Sequence, residues 1–196
     1  MIFTEAPPTL KTNTLLERGT WNMELLKCSF FYRGVSDLKM NPVLFRKILA
    51  NFATGVTIVT TRNDEGEPYG VTVNSFTSVS LDPLLVLVCL HNQVGGLNSF
   101  LESKVFAINI LSAKQVHLSD HFARSAVDRT RYLNWSGALG APLIRGCLAC
   151  LECELESTFP GGDHTLLIGR VAEGRLSREP REPLLFYGGR YHELGP

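Results

Sequence analysis

The chain has 196 residues, 44% of them hydrophobic and 19% charged, a composition that fits one ordinary globular domain with an appended tail and crowds out two. Nineteen Lys and Arg balance nineteen Asp and Glu, so no global field draws the protein onto nucleic acid or an anionic membrane. No apolar run is long enough for a membrane span, the N-terminus lacks the order of a secretory signal, and five cysteines form no disulfide framework, so a cytoplasmic protein with reduced thiols is expected.

In chain order, residues 1–39 come first as an N-terminal extension. Pro7 and Pro8 open a polar stretch, and Trp21, Phe30, Phe31 and Tyr32 follow without steady periodicity. This is read either as a flexible, partner-docking arm or as translated sequence upstream of a start at Met40. Residues 40–196 form the folded domain. Asn41-Pro42 is an N-cap followed by proline at the first helical position, and Phe45, Ile48, Leu49 and Phe52 recur at helical spacing, which predicts a short amphipathic helix. VTIVTTR, the turn residues Asn63 to Gly66 and YGVTVNSFTSVSL then read as two strands of a hairpin.

Asp82-Pro83 interrupts, and LLVLVCL reads as a strand buried on both faces. LNSFLES is a short helix and VFAINIL a further buried strand, while Ser112 can cap a helix through the His117 to Ala126 region. CLACLECELE, HTLLIGRVAEGRL and LLFYGGRYH complete the strands. Strands outnumber helices and connections are short, so the expected class is mainly β: an antiparallel barrel with peripheral helices.

Alternation along the strand after Gly70 puts Thr72, Asn74, Phe76, Ser78 and Ser80 on one face and Val71, Val73, Ser75, Thr77, Val79 and Leu81 on the other. The first face is polar but uncharged. It is either a solvated strand face or the lining of a groove for a neutral heterocycle and its polyol chain.

FATGVTIVTT, GVTVNSFTSVSLDPLLVLVCL, FAINIL, GDHTLLIGRV and PLLFYGGRY, in that order and at these separations, resemble the flavin reductase family with the FMN-binding split-barrel fold. The resemblance covers about Asn41 to Tyr191. It implies a homodimer of six-stranded antiparallel split barrels that transfers hydride from NADH or NADPH to FMN or FAD and supplies reduced flavin to a separate monooxygenase. It also implies that the segment Thr72, Val73, Asn74, Ser75, Phe76, Thr77 and Ser78 holds the isoalloxazine and ribityl groups. His164, in the match to the family's GDH motif, would help shape and polarise the nicotinamide pocket, with Tyr187, Arg190 and Tyr191 where the nicotinamide approaches. Direct hydride transfer needs stacked rings and excluded water rather than a catalytic triad, which suits a chain without an acid, base or nucleophile constellation.

One segment departs from the family pattern. Where small hydroxylated residues usually meet the flavin phosphate, this chain reads His91-Asn92-Gln93-Val94-Gly95-Gly96. His91, Asn92, Gly95 and Gly96 remain candidate cofactor contacts, the glycines through backbone N–H groups, with Arg124, Ser125 or Arg129 supplying charge or hydroxyl. The alternatives are a flavoenzyme acting directly on an organic substrate, for which this departure leaves room, and a non-catalytic flavin-binding partner subunit.

No metal site is expected. Cys147, Cys150 and Cys153 have a metal-like spacing, but strand alternation would put Cys147 and Cys153 on one face and Cys150 on the other, as core or half-buried thiols. His117 and His121, at i and i+4, are expected on a solvated helix face. Asn109 is expected to make a structural buried hydrogen bond. No G-x-G-x-x-G follows a strand, so the nicotinamide would lie in an open groove beside the flavin.

Overall fold

Asn41 acts as its place before Pro42 predicts: its Oδ1 accepts the N–H groups of Val43 and Leu44 at 3.0 Å each and starts helix α1 (Pro42–Leu49). The computed structural model describes residues 39–124, 130–133 and 135–194, so the extension expected over residues 1–39 lies, except for its last residue, outside the described residues. The chain divides into the units Met1–Arg46 and Lys47–Pro196, and the sheets, core and site described below belong to the second.

Twelve strands and two further helices follow in the described residues. They are β1 (Thr54–Gly55), β2 (Thr57–Arg62), β3 (Pro68–Val73), β4 (Thr77–Leu81), β5 (Leu84–His91), α2 (Leu97–Ser103), β6 (Val105–Ile110), α3 (Val116–Phe122), β7 (Trp135–Ser136), β8 (Pro142–Leu143), β9 (Ala149–Gly161), β10 (His164–Leu176), β11 (Leu185–Tyr187) and β12 (Arg190–His192). The principal sheet is antiparallel throughout, in the order β3-β2-β6-β9-β10-β5-β4.

The mainly β, antiparallel fold with few helices is the expected one, but this sheet has seven strands rather than six. The stretch read as one strand from Tyr69 to Leu81 breaks at Asn74–Phe76 into β3 and β4, which take opposite edges. Because only three residues join the two edge strands, the sheet must curl until its edges approach, as a barrel requires. Ser75 holds the break: its hydroxyl donates to the Cys89 carbonyl at 2.9 Å and accepts from the Cys89 N–H at 3.1 Å. The two-face reading of residues 71–81 therefore holds within each short strand and not across both.

Burial follows the strands' positions. β2 lies inside the sheet and is buried on both faces, with Ile58 in a cluster around Phe122 and Leu143 and Val59 in a second around Phe100, Phe106 and Leu167. β5 is not buried on both faces as its sequence suggests. Val86, Val88 and Leu90 are buried, Leu85, Leu87 and Cys89 are half-buried, and Leu84 is exposed.

Asn109 on β6 is fully buried, as expected for a structural polar group. Its amide donates to the Ile58 carbonyl at 3.0 Å and to Thr60 Oγ1 at 3.1 Å, while its Oδ1 accepts from the Ile144 N–H at 2.8 Å. Replacing it with Ala strands a buried main-chain donor and an acceptor, so Asn109→Ala is expected to lose about 2–4 kcal/mol of stability in urea unfolding. A loss within a few tenths would show that water restores both partners.

The cysteine geometry needs correction. Gly146, at φ +81°, turns the chain before β9 begins at Ala149, so strand alternation does not reach Cys147. Cys147 and Cys150 share one core cluster and Cys153 belongs to the other; the three sulfurs still do not share a face. Burial, reinforced by the Glu152 carboxylate, pushes the Cys153 thiol up to about 12. Cys153 in the native protein is therefore expected to resist iodoacetamide at neutral pH and to react once unfolded, as peptide mass mapping would show.

Candidate functional site

The break between β3 and β4 opens a recess of about 200 Å³, lined by Val56, Thr72, Val73, Asn74, Ser119, Ala123, Phe186 and Tyr191. Helix α3 supplies Ser119 and borders the recess at Ala123. The helix is preceded by a 3-10 turn that Ser112 caps, the Gln115 side chain accepting from the Ser112 N–H at 3.0 Å. Phe186 and Tyr191 come from the hairpin of β11 and β12, whose two-residue turn is Gly188-Gly189 at φ +60° and +79°, the positive-φ pair such a turn needs.

Much of the polar lining is already engaged. Thr72 Oγ1 donates to the Ser119 carbonyl at 2.8 Å, and the Tyr191 hydroxyl meets Ser119 Oγ and donates to Asp120 Oδ1, both at 2.9 Å. Desolvation holds the Tyr191 phenol above its ordinary range, with Asp120 adding to the effect, so it stays a neutral donor. Asn74 is exposed, and among the described residues its side chain makes no hydrogen bond. The recess thus offers aromatic and aliphatic walls, neutral donors and acceptors at its rim, and no lining charge, which fits the polar edge and flat body of an uncharged heterocycle.

A second polar group stands at the end of β5. His164 lies opposite His91 across β10 and β5, and their rings meet edge to face at 5.1 Å. His164 Nδ1 is 2.7 Å from Asp163 Oδ1, and His91 Nε2 is 3.8 Å from Asp163 Oδ2. The hydrogen bond from His164 holds the Asp163 carboxyl below its ordinary range, so Asp163 is a carboxylate at neutral pH. Ser75 faces Cys89, two residues before His91, so the β3–β4 break and this group are separated along β5 by about 7 Å.

The predicted residues divide accordingly. Thr72, Val73, Asn74 and Tyr191 line the recess. Ser75 bridges to β5, Phe76 packs against the core cluster around Phe100, and Thr77 and Ser78 lie exposed on β4. His91 accepts the Gln93 N–H and packs its ring on His164, while Asn92 accepts from Thr165 Oγ1 of β10 at 2.8 Å.

Gly96 donates its N–H to the Val94 carbonyl, and a Cβ there would fall 2.3 Å from the Tyr69 ring, which gives this glycine a packing reason; at Gly95 a Cβ would meet only the Tyr69 hydroxyl, at an ordinary 3.9 Å. Arg124 follows Ala123 at the rim, whereas Ser125 and Arg129 lie outside the described residues. Tyr187 and Arg190 are exposed partners across the last hairpin.

Val56, Ser119, Ala123 and Phe186 complete the lining without a signal in the sequence. Only the tertiary fold carries them to the break, since α3 sits more than forty residues from Thr72 in sequence. The face of His117 and His121 is not simply solvated: both rings pack on Tyr132, at 6.3 and 5.1 Å. A separate cavity of about 470 Å³ between Trp135, Arg145, Cys147, Cys150, Arg175 and Arg181 holds none of the predicted site residues.

A family profile described as "Flavin reductase like domain" matches residues 49–195. An NADH-dependent flavin reductase of Rhodococcus sp is 42% identical over 165 residues, covering 82% of this chain and 91% of that protein. A flavin-dependent monooxygenase reductase subunit, HsaB of Rhodococcus jostii, is 39% identical over 164 residues, 83% of each chain. Among solved structures, the Streptomyces globisporus NADH:FAD oxidoreductase SgcE6, in complex with NAD and FAD fragments, aligns with a TM-score of 0.74 at 39% identity, over 81% of this chain and 98% of that one.

Proposed function

The chain belongs to the flavin reductase-like family, and on that premise we propose that it oxidises NADH, reduces a diffusible flavin and supplies it to a separate monooxygenase. The observation that carries this reading is the uncharged recess at the β3–β4 break, whose Ser75 is bonded to Cys89 of β5, the strand that ends beside His164. FAD is the favoured flavin, because the structural neighbour holds NAD and FAD fragments; FMN presents the same ring to the same residues.

Bound flavin supplies the hydride acceptor, its N5. Within the protein, Phe186 and Tyr191 wall the ring and exclude water, and Asn74 offers its free amide to the polar ring edge. Thr72 fixes Ser119 and through it Tyr191, keeping the wall rigid. Arg124, next in sequence to Ala123 of the recess, is the described basic candidate for a flavin phosphate. His164 orients the nicotinamide, with Tyr187 and Arg190 at the outer approach.

The recess is smaller than the roughly 300–1,000 Å³ of complete ligand pockets, so one chain covers only part of a flavin. Leu81, Leu84 and Phe159 expose apolar side chains on the principal sheet, at 62%, 50% and 53%. Both features favour a homodimer that completes the site. Sedimentation is expected to give about twice the 21.7 kDa chain mass, and a monomer at micromolar concentration would contradict it. A cytoplasmic location accords with the free thiols of Cys89, Cys147, Cys150 and Cys153.

Release of reduced flavin is testable directly. With the protein, NADH and FAD on one side of a dialysis membrane and cytochrome c on the other, the cytochrome is expected to be reduced. Reduction that requires mixing the two proteins would mean that the flavin never leaves.

A further inference from the structure

The departure at His91-Asn92 has a structural use of its own. The β9–β10 turn is two residues long, Gly162-Asp163, with Gly162 supplying the positive φ of +70° at its first position. The His91-Asn92 segment clamps this turn. The Asn92 N–H donates to the Asp163 carbonyl at 2.9 Å, and the Asn92 side chain accepts from Thr165 Oγ1 at 2.8 Å and donates to the Gly162 carbonyl at 3.4 Å. Asp163 is therefore held by its backbone although its side chain is 78% exposed.

Proton positions follow from which atoms can donate. The Gln93 N–H, an obligate donor, points at His91 Nδ1 at 3.0 Å, so in the neutral ring that nitrogen is the acceptor and Nε2 carries the proton. His91 Nε2 lies 3.8 Å from Asp163 Oδ2, beyond hydrogen-bond reach. Carboxylate Oδ1 only accepts, so at 2.7 Å the His164 Nδ1 carries a proton. The Gln93 amide thus sets the tautomer of His91, the Asp163 carboxylate sets that of His164, and the two rings meet edge to face at 5.1 Å.

We propose that Asp163 and His91 are positioning residues for the reaction: Asp163 holds His164, when neutral, as the Nδ1–H tautomer, His91 packs edge to face on its ring, and the His164 Nε2 lone pair is so presented to the carboxamide N–H of the nicotinamide. The proposal rests on the reading of His164 as a nicotinamide contact. It gives His91-Asn92 a place in the nicotinamide half of the site, not the flavin-phosphate half. A carboxamide has a donor edge and an acceptor edge, so a fixed Nε2 acceptor selects which edge faces His164 and which face of the ring turns to the flavin. In the other tautomer the same ring would offer a donor and favour the flipped carboxamide.

The test combines a spectroscopic and a kinetic readout on the full chain. Long-range ¹H–¹⁵N correlation at a pH where the ring is neutral is expected to show His164 with protonated Nδ1 and bare Nε2. Asp163→Ala should move the ring toward the Nε2–H form and raise the NADH KM by about tenfold, the worth of one lost charge-assisted hydrogen bond, while kcat at saturation and FAD affinity change little. Asp163→Asn, whose amide oxygen still accepts, should restore most of both, and His91→Phe should give a smaller rise in KM. A wild-type His164 protonated at Nε2 overturns the proposal whatever the kinetics. So does an unchanged tautomer or KM in Asp163→Ala when His164→Ala raises KM. If KM is unchanged in both variants, it is the placement of nicotinamide at His164 that falls, and the positioning role with it.

Discussion

Truncating Phe106 to Ala is expected to remove about 3–5 kcal/mol of folding stability, which for a chain of this size lowers Tm by about 6–20 °C. Phe106 is fully buried on β6, an interior strand flanked by β2 and β9. Its ring fits against Gly169 of β10 so closely that a Cβ added there would lie 2.4 Å from its tip. Deleting the ring opens a void between three strands whose backbones are fixed by ladders on both sides, so collapse around it is limited and the cavity cost adds to the lost transfer energy. Thermal and urea unfolding would check this. A loss below about 1.5 kcal/mol would mean that the sheet can relax across β6 and β10 far more than their pairing with β9 suggests.

The second large effect concerns the recess. Ala123 follows α3 with helical backbone angles, φ −76° and ψ −14°, so a bulky side chain is tolerated there by the main chain. Ala123→Trp would place an indole against Val56, Phe186 and Tyr191 in about 200 Å³ of space, where the flavin ring is proposed to sit. FAD affinity, read by quenching of flavin fluorescence, should fall at least about tenfold with Tm nearly unchanged, while Ala123→Ser should bind as the parent does. Undiminished FAD affinity in a folded Ala123→Trp protein would move the flavin away from this recess.

The parts of this fold legible in the sequence are those fixed locally. Asn41-Pro42 announces α1 because the N-cap and the proline act within one turn. Asn63 to Gly66 announces the β2–β3 hairpin because Gly66 adopts positive φ, and the Asn109 network follows from one amide in an otherwise apolar strand.

The break at Asn74–Phe76 is not legible, since no Gly or Pro marks it. Ser75 fits the alternation like any strand serine, and the partner that holds the break, Cys89, is fourteen residues away. Strand alternation extended back to Cys147 fails because the chain turns at Gly146, whose positive φ is set by the fold.

The candidate site divides in the same way. Thr72, Val73, Asn74 and Tyr191 stand in motifs and line the recess, but Ser119 and Phe186 reach it only through long-range packing. His91 and Asn92 look like a defective phosphate loop when the sequence is read alone. Asn92 is bonded to the hairpin that carries Asp163 and His164, the His91 ring packs on His164, and that pairing is set by the register of β5 on β10.

Anaerobic oxidation of NADH by the purified protein, titrated with free FAD and followed by loss of nicotinamide absorbance, tests the central claim most directly. The account predicts negligible oxidation without flavin and, with it, turnover that continues until the added FAD is consumed mole for mole with NADH. No oxidation with FAD or FMN, or oxidation that needs an organic acceptor, would contradict it.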